Sequence, residues 1–426
     1  MWLAAENWPG FRGPDARGVA ENPNLPVSWN VETGSNIVWK ASIPGLGHSS
    51  PVIWGDRVFL TTAISSNPQM VFEAKLRGER DDRQDRAVQQ FRLLAIDKRT
   101  GRVDWNQLVT KALPRVVRHP HNSYASPTPA TDGKHLVAFF GSEGLYCYDL
   151  NGKLVWKKDL GILDQGAFDV ADYQWGSAAS PTLWNDKVYL QVDQQRGSFV
   201  AAFDAASGKE VWRTPREAKP SWSTPTIVRG PQRTELVTNG VEHIAGYDPD
   251  TGKELWRLKG TSMISVPTPF MVNGLLYVFT GYYRYQRRAY AIRPGATGDI
   301  TGSNEAVAWT REEAPYLSTP VVSGEYVYAF GSRGMGILNV YHALTGATLY
   351  QQRLGQGTGA SASMIASGDH VYAINEDGEV YVIQVGPTYK ELAMNPMNEP
   401  VMATPAASGD TLFIRGTRHL FAIRNR

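Results

Sequence analysis

The chain is nearly free of cysteine. Of its 426 residues only Cys147 is one, so neither an internal disulfide nor a cysteine-built metal centre is available. Net charge is also nearly absent: 43 Lys plus Arg against 41 Asp plus Glu leave +2. That is too little for the basic footprint of a nucleic-acid binder or of a polybasic membrane-surface segment. No run approaches the roughly 20 consecutive apolar residues that a bilayer-spanning helix needs. Helical periodicity is scarce as well, whereas 41 Gly and 26 Pro punctuate the chain as they do in proteins built of short strands and turns. The start, Met1-Trp2-Leu3-Ala4-Ala5-Glu6, offers small residues after an apolar stub but no basic residues before it, half the signature of an export leader.

A single hydrophobic core stops growing at about 250–300 residues, unless repeated units each bury their own faces, so repeats decide the fold. A Ser/Thr-Pro or Ser/Thr-x-Pro step followed by an alternating apolar run recurs eight times, as in SSPVIWGDRVFLTT, ASPTLWNDKVYLQVD and STPVVSGEYVYAFGS. The anchors are Pro51, Pro127, Pro181, Pro225, Pro267, Pro320, Met364 and Pro405. A second signature closes each unit, an aspartate, a Gly-containing turn and an aromatic: AIDKRTGRVDW, CYDLNGKLVW, AFDAASGKEVW, GYDPDTGKELW. Within the third unit SPTLW, KVYLQVD, FVAAFDA and EVWRT read as four strands separated by turn signals. Four short antiparallel strands about every 42 residues make one propeller blade.

The eighth unit ends at FAIRNR with three strands, and the missing one stands in ETGSNIVWKASI at residues 32–43. Pairing residues 36–43 with the last blade removes the open edge of a linear array. The expected fold is therefore all-β, an eight-bladed propeller of four-stranded blades closed by an N-terminal strand, forming one domain over 1–426. It has an N-terminal extension (1–35) and an inserted loop (64–90). Trp39, Trp105, Trp156, Trp212, Trp256 and Trp309 occupy the repeated aromatic slot, with Tyr350 and Leu392 in the other two copies, so these six tryptophans belong to packing between blades. Trp175 and Trp222 lie outside that slot, in loops, and Trp222 is expected to matter less to stability than Trp212.

The AxDxxTGKxxW turn and the eight-fold count resemble the PQQ-like repeat propellers, which include quinoprotein alcohol dehydrogenases and the lipoprotein subunit of the outer-membrane β-barrel assembly machine. NWPGFRGP, GHSSPVIWGDRVFLTTA, FFGSEGLYCYDLNGKLVWKKDLG and PSWSTPTIVRGPQRTELVTNG are similar to bacterial members that are often exported, which implies a periplasmic or secreted location. In the dehydrogenases the resemblance implies PQQ stacked between a tryptophan and a disulfide of adjacent cysteines, beside calcium held by Glu, Asn and Asp. One cysteine rules out that disulfide, and no Glu-Asn-Asp set aligns in the mouth loops, although Asn122, Asp172 and Trp222 imitate parts of one. The lipid-bearing cysteine of the assembly lipoproteins has no counterpart within 1–426 either. No cofactor is expected, with calcium-bound PQQ as the alternative.

Long loops on a rigid scaffold carry binding sites. Insertions at 64–90, 110–124 and 161–176 share the face formed by the loops between the second and third strands and between successive blades; the insertion at 294–304 lies opposite. The charged segment AKLRGERDDRQDRAVQQF nearly cancels its own charge and reads as a solvated flap. Beside the channel mouth stand GLGHSSP (His48), RHPHNSYASP (His119, His121, Asn122, Tyr124), DVADYQWGSAASP (Asp169, Asp172, Tyr173, Trp175), KPSWSTP (Lys219, Trp222) and TGYYRYQRR (Tyr282, Arg284). Imidazole, carboxylate, phenol and guanidinium gathered at an axis can hold a sugar or a carboxylate, or move a proton. His119-Pro-His121 with His48 has no third close-spaced ligand, so no metal is expected. The leading expectation is a monomeric scaffold that binds a small molecule or glycan at the mouth, or a protein partner. The alternative is an enzyme there: a carbohydrate lyase or hydrolase with His121 or His48 as base and Tyr124 or Tyr173 as acid, or a divergent PQQ-dependent dehydrogenase.

Overall fold

Each repeat folds as an antiparallel sheet, and eight such sheets form a closed propeller. The computed structural model describes residues 7–67, 72, 86–167, 173–282, 287–331, 336–356 and 359–425. In blade 3 the strands are Thr182–Trp184, Lys187–Val192, Phe199–Asp204 and Glu210–Pro215. The first hairpin turns through Asn185 and Asp186, both at positive φ (47° and 55°), as a two-residue turn of matching twist requires. Ile37–Ser42 pairs antiparallel with His419–Ile423 as the fourth strand of blade 8, so the ring closes where the run-out of the last repeat placed it. The insertion at 294–304 has a use that its sequence did not announce. Gly298–Asp299 adds a parallel fifth strand to the outer edge of blade 4, beside Glu254–Lys259.

The aromatic slot and the glycine turn are two halves of one joint. The indole N–H of Trp39, Trp105, Trp156, Trp212 and Trp309 donates to a carbonyl in the next blade's turn, at Lys98, Leu150, Ala205, Pro249 and Ala343. The turn glycine lies under the same ring: Gly208 has φ +69°, and a Cβ there would stand 2.6 Å from Trp156 Cδ2. Only glycine tolerates both the backbone conformation and the close approach. Trp256 departs from the pattern because the turn of blade 5 is rebuilt by the insertion, and its N–H is taken by Glu235 Oε2 at 2.6 Å.

The proline step has an equally regular role at the axis. Ser50, Thr128, Ser180, Thr224, Thr268, Thr319, Ser363 and Thr404 immediately precede the eight inner strands. In six cases the backbone N–H donates to the hydroxyl of the next blade's member, for example Thr128 to Ser180 at 3.0 Å and Thr319 to Ser363 at 2.9 Å. Proline at the strand's first position removes a donor that would have no partner and holds the preceding residue extended. This corrects the register of two repeats: blades 2 and 5 are anchored by Pro129 and Pro269, two residues beyond Pro127 and Pro267.

The N-terminal extension threads the ring from the face opposite the insertions. Trp8, fully buried, bridges Ile53 of blade 1, and Pro9 accepts from Thr131 of blade 2. Arg12, also fully buried, donates to the carbonyls of Thr319, Pro320 and Met364 in blades 6 and 7 and to its own loop at Ala16 and Arg17. Val19–Ala20 then pairs parallel with the inner strand of blade 7, and Trp29 docks on Asn395 at the outer strand of the same blade.

Candidate functional site

The eight inner strands and the loops of the insertion-bearing face enclose a cavity of about 260 Å³ on the axis, near the lower end of small-molecule sites, which run from roughly 300 to 1,000 Å³. Its floor is the hydroxyl belt with Phe11 of the extension. Its walls differ in chemistry.

One wall is aromatic. Trp175 and Trp222 stack with centroids 5.3 Å apart at 29°, and Tyr173 and His119 meet Trp175 edge-on at 5.9 and 6.0 Å. The pair is held by main chain: Trp222 Nε1 donates to Gly176 O at 2.7 Å, and the Trp222 N–H donates to Ser265 O at 2.8 Å. Tyr282 and Tyr316 form a second aromatic pair at 5.2 Å.

The other wall is polar. His121 reaches from the loop before blade 2 across the mouth to blade 7, where its Nε2 lies 3.1 Å from Glu376 Oε1. That approach is not aligned as a hydrogen bond, because Nε2 and Glu376 Oε2 both have no hydrogen-bond partner. Glu376 is fully buried and accepts from Ser361 Oγ at 2.6 Å. Gly359 lies so close that a Cβ there would stand 2.9 Å from Glu376 Oε1. The histidine loop is shaped by Arg118, whose Nη1 donates to the carbonyls of His119, Pro120 and Asn122, and the His121 N–H donates to His119 Nδ1 at 3.1 Å. His48 lies on the same side, with its pKa well below the ordinary value of 6.5 because burial, His121, Arg415 and Arg118 all disfavour its cation.

Of the residues singled out from the sequence, His48, His119, His121, Asn122, Tyr173, Trp175, Trp222 and Tyr282 line the cavity together. Asn122 does so with its side chain committed: its Nδ2 donates to Trp175 O at 2.7 Å, and its Oδ1 accepts from Ser126 Oγ at 2.5 Å. Tyr124 is not brought to the cavity; it packs edge-on to Phe91 beneath the Arg118 guanidinium. Lys219 lines a separate polar cleft with Lys259, Arg257 and His243. Asp169, Asp172 and Arg284 lie outside the described residues. Trp222 is 6 % exposed, more buried than Trp212, so its expected indifference to stability is withdrawn. Sequence reasoning missed Glu376 and Ser361. Glu376 stands in the NEDGE turn between the second and third strands of blade 7, a shorter loop of the same class and face as those of blades 1 and 5. A buried pair between blades 3 and 4 was missed as well: Arg216 Nε and Asp193 Oδ1, 2.7 Å apart and both fully buried.

Two parts of a quinone site, a disulfide and a cluster of metal ligands, are lacking among the described residues. Cys147 is buried within blade 2, where burial pushes its thiol up to about 12, and it has no partner cysteine. Among the described residues no cluster of three His, Cys, Asp or Glu is arranged to hold a metal ion. No step is therefore derived through PQQ.

Comparison with known proteins gives the class first. The fold is that of the PQQ-like repeat propellers, and the family model described as outer membrane protein assembly factor BamB matches residues 18–196 and 196–426. The chain belongs to that family. Among solved structures it is similar to BamB from Moraxella catarrhalis (12 % identity, TM-score 0.56, 85 % of this chain and 99 % of that one). It is also similar to a europium-containing methanol dehydrogenase (12 %, 0.63, 97 % and 90 %) and to the quinohemoprotein alcohol dehydrogenase of Comamonas testosteroni (14 %, 0.52, 98 % and 80 %). Identities this low establish the shared fold. No curated protein matches the chain. Among the described residues no helix is long and apolar enough to cross a membrane.

Proposed function

We propose that the chain is an exported binding propeller that holds a sugar-class small molecule at its axial mouth, without PQQ. The observation that carries this reading is the mixed lining of the cavity: the stacked Trp175–Trp222 pair shares it with His121, whose Nε2 lies 3.1 Å from the buried Glu376 behind the wall. A sugar ring offers C–H faces to aromatic surface and hydroxyls to imidazole and to the serine and threonine hydroxyls of the lining. Calorimetry and saturation-transfer NMR with a panel including glucose, glucuronate and disaccharides test it. Binding lost in Trp222→Ala and in His121→Gln supports the reading, and a panel with no binder overturns it. Titration with PQQ in calcium or a lanthanide is expected to show no tight binding. Fractionation of the native host tests export.

The enzyme reading has its own support in Glu376. A fully buried carboxylate beside an imidazole, with one oxygen unpartnered, is a constellation able to move a proton. Turnover of a polysaccharide that disappears in Glu376→Gln would establish it. A protein partner is the third reading, supported by Leu113 (58 % exposed) and Ile162 (65 %) on the inserted loops, which flank the Arg115–Asp159 bridge.

A further inference from the structure

The floor of the cavity has a chemistry of its own. All eight belt residues line the cavity, and six of their hydroxyl oxygens are occupied as acceptors of a neighbouring blade's N–H, among them Thr128, Ser180, Thr319 and Ser363. None of the eight hydroxyls donates to a protein acceptor among the described residues. A serine or threonine whose oxygen is already engaged has its proton left to give, so the belt is a ring of donors around one axis. Two arginines flank this ring. Arg12 donates to the carbonyl of Thr319, itself a belt member. Arg415 Nη1 donates to Ser49 O at 2.9 Å and to Ser49 Oγ at 2.6 Å, one residue from Ser50. Each is at most 2 % exposed, neither has a carboxylate within ion-pair distance among the described residues, and Arg415 Nε has no hydrogen-bond partner there. Burial without a counter-ion lowers both guanidinium pKa values to about 9. Five carbonyls take the N–H groups of Arg12, whereas Arg415 keeps an unmet one, and a buried positive charge that no anion neutralises is costly. The fully buried Glu376, behind the wall that His121 and Ser361 form, is engaged with those two residues.

We infer that the belt is the seat of a small anionic group, a carboxylate, which accepts from the inward hydroxyls between the Arg12 and Arg415 sides. This deepens the sugar-class reading by naming the ligand as a sugar acid, and it rests on that reading only for the identity of the carboxylate's carrier. The same chemistry would take a free small carboxylate, and the experiments separate the two sources.

With the full chain in low-chloride buffer, calorimetry compares glucuronate, glucose and acetate. Glucuronate is expected to bind at least about tenfold more tightly than glucose, and acetate to compete with it. Thr319→Val, which removes one donor and with it the acceptor of the Thr268 N–H, should weaken glucuronate about tenfold and glucose less, while Thr319→Ser keeps both groups and the wild-type value, a range set by one charge-assisted hydrogen bond. Should Thr319→Val fail to fold, anomalous scattering from wild-type crystals soaked in bromide reads the same site, with an ion expected on the axis at the belt. Equal affinity for glucuronate and glucose, or equal loss of both in Thr319→Val, overturns the anion seat and leaves the sugar reading standing. Acetate binding that depends on Thr319, without any sugar binding, supports the seat and removes the sugar reading. Bromide found away from the axis counts against the seat.

Discussion

The frame of this propeller and its mouth are written in different ways. In the frame one joint is used over and over: an indole N–H reaches the next blade's turn, a turn glycine lies under the same ring, and a Ser/Thr-Pro step links inner strands around the axis. In the mouth nothing repeats. Trp175 and Trp222 come from two neighbouring loops, His121 from a third, and Glu376 from a short turn on the far side of the ring. The lesson is that repetition marks load shared equally among blades, whereas function sits where a blade departs from its siblings.

The largest expected effect breaks the frame at its seam. Removing residues 1–43 takes away the fourth strand of blade 8 together with Trp8 and Arg12, leaving an unpaired sheet edge and an unfilled axis. Loss of soluble protein or of a cooperative melting transition is the expected result. An unchanged transition would show that the ring closes some other way.

Trp156→Ala and Trp222→Ala sharpen the contrast. Both rings are at least nine-tenths buried, so each truncation should cost about 3–5 kcal/mol as a large-to-small core change, read by denaturant unfolding. Their effects on ligand should part: Trp156→Ala, at a joint between blades, leaves glucose and glucuronate affinities where they were, and Trp222→Ala abolishes them. Loss of affinity in both would mean that frame and mouth are one mechanical unit.

This contrast also explains what could be read from the sequence. The blade count, the closing strand and the six structural tryptophans were legible because each rests on a pattern repeated along the chain. Eight cavity residues were legible because they lie in loops of the insertion-bearing face, beside the inner strands. Glu376 was not, since an acidic residue in a short turn looks like ordinary solvated surface until the fold carries His121 over it. Tyr124 was misplaced for the converse reason: its loop does border the mouth, but the Arg118 guanidinium and Phe91 hold the ring away from it. The register slip at Pro127 and Pro267 arose where two prolines lie two residues apart, and only the hydroxyl belt distinguishes them.

Acid separates the regions by pH. His243, buried near Arg216 and outside the mouth cavity, has its pKa lowered to about 4, chiefly by burial and then by Arg216 and Arg257, with Glu254 and Asp193 opposing. Its ordinary value is 6.5, so between pH 6.5 and 4 the unfolded chain binds the proton and the folded one does not. Stability is then full above about pH 6.5 and falls as the pH drops toward 4, by about 3 kcal/mol for this group. His48, lowered in the same direction, adds to the trend. The turn aspartates Asp97 and Asp204, held low by the hydroxyls of Thr100 and Ser207, contribute only at lower pH, below about 3.8. His243→Gln should flatten the slope between pH 6.5 and 4 without altering ligand affinity at pH 7.5, as chemical denaturation at a series of pH values would show. A slope unchanged by His243→Gln would shift the acid sensitivity to His48 and hence to the mouth.

The smallest effect is the sharpest test of where the mouth ends. Tyr124 and Tyr173 stand in neighbouring loops of the same face and were equal candidates by sequence, yet only Tyr173 lines the cavity. Removing a single phenolic hydroxyl that meets a ligand costs about 0.5–1.5 kcal/mol, which is about a two- to twelvefold loss of affinity. Tyr173→Phe should fall in that range for glucuronate, and Tyr124→Phe should change it by less than about twofold, since its ring is turned toward Phe91. Both substitutions keep the ring and its packing, so a difference between them reads contact with ligand rather than folding. If Tyr124→Phe proved the more damaging, the loop carrying His119 and His121 would have to rearrange when ligand enters, and the boundary between frame and mouth would run behind Arg118 instead of in front of it.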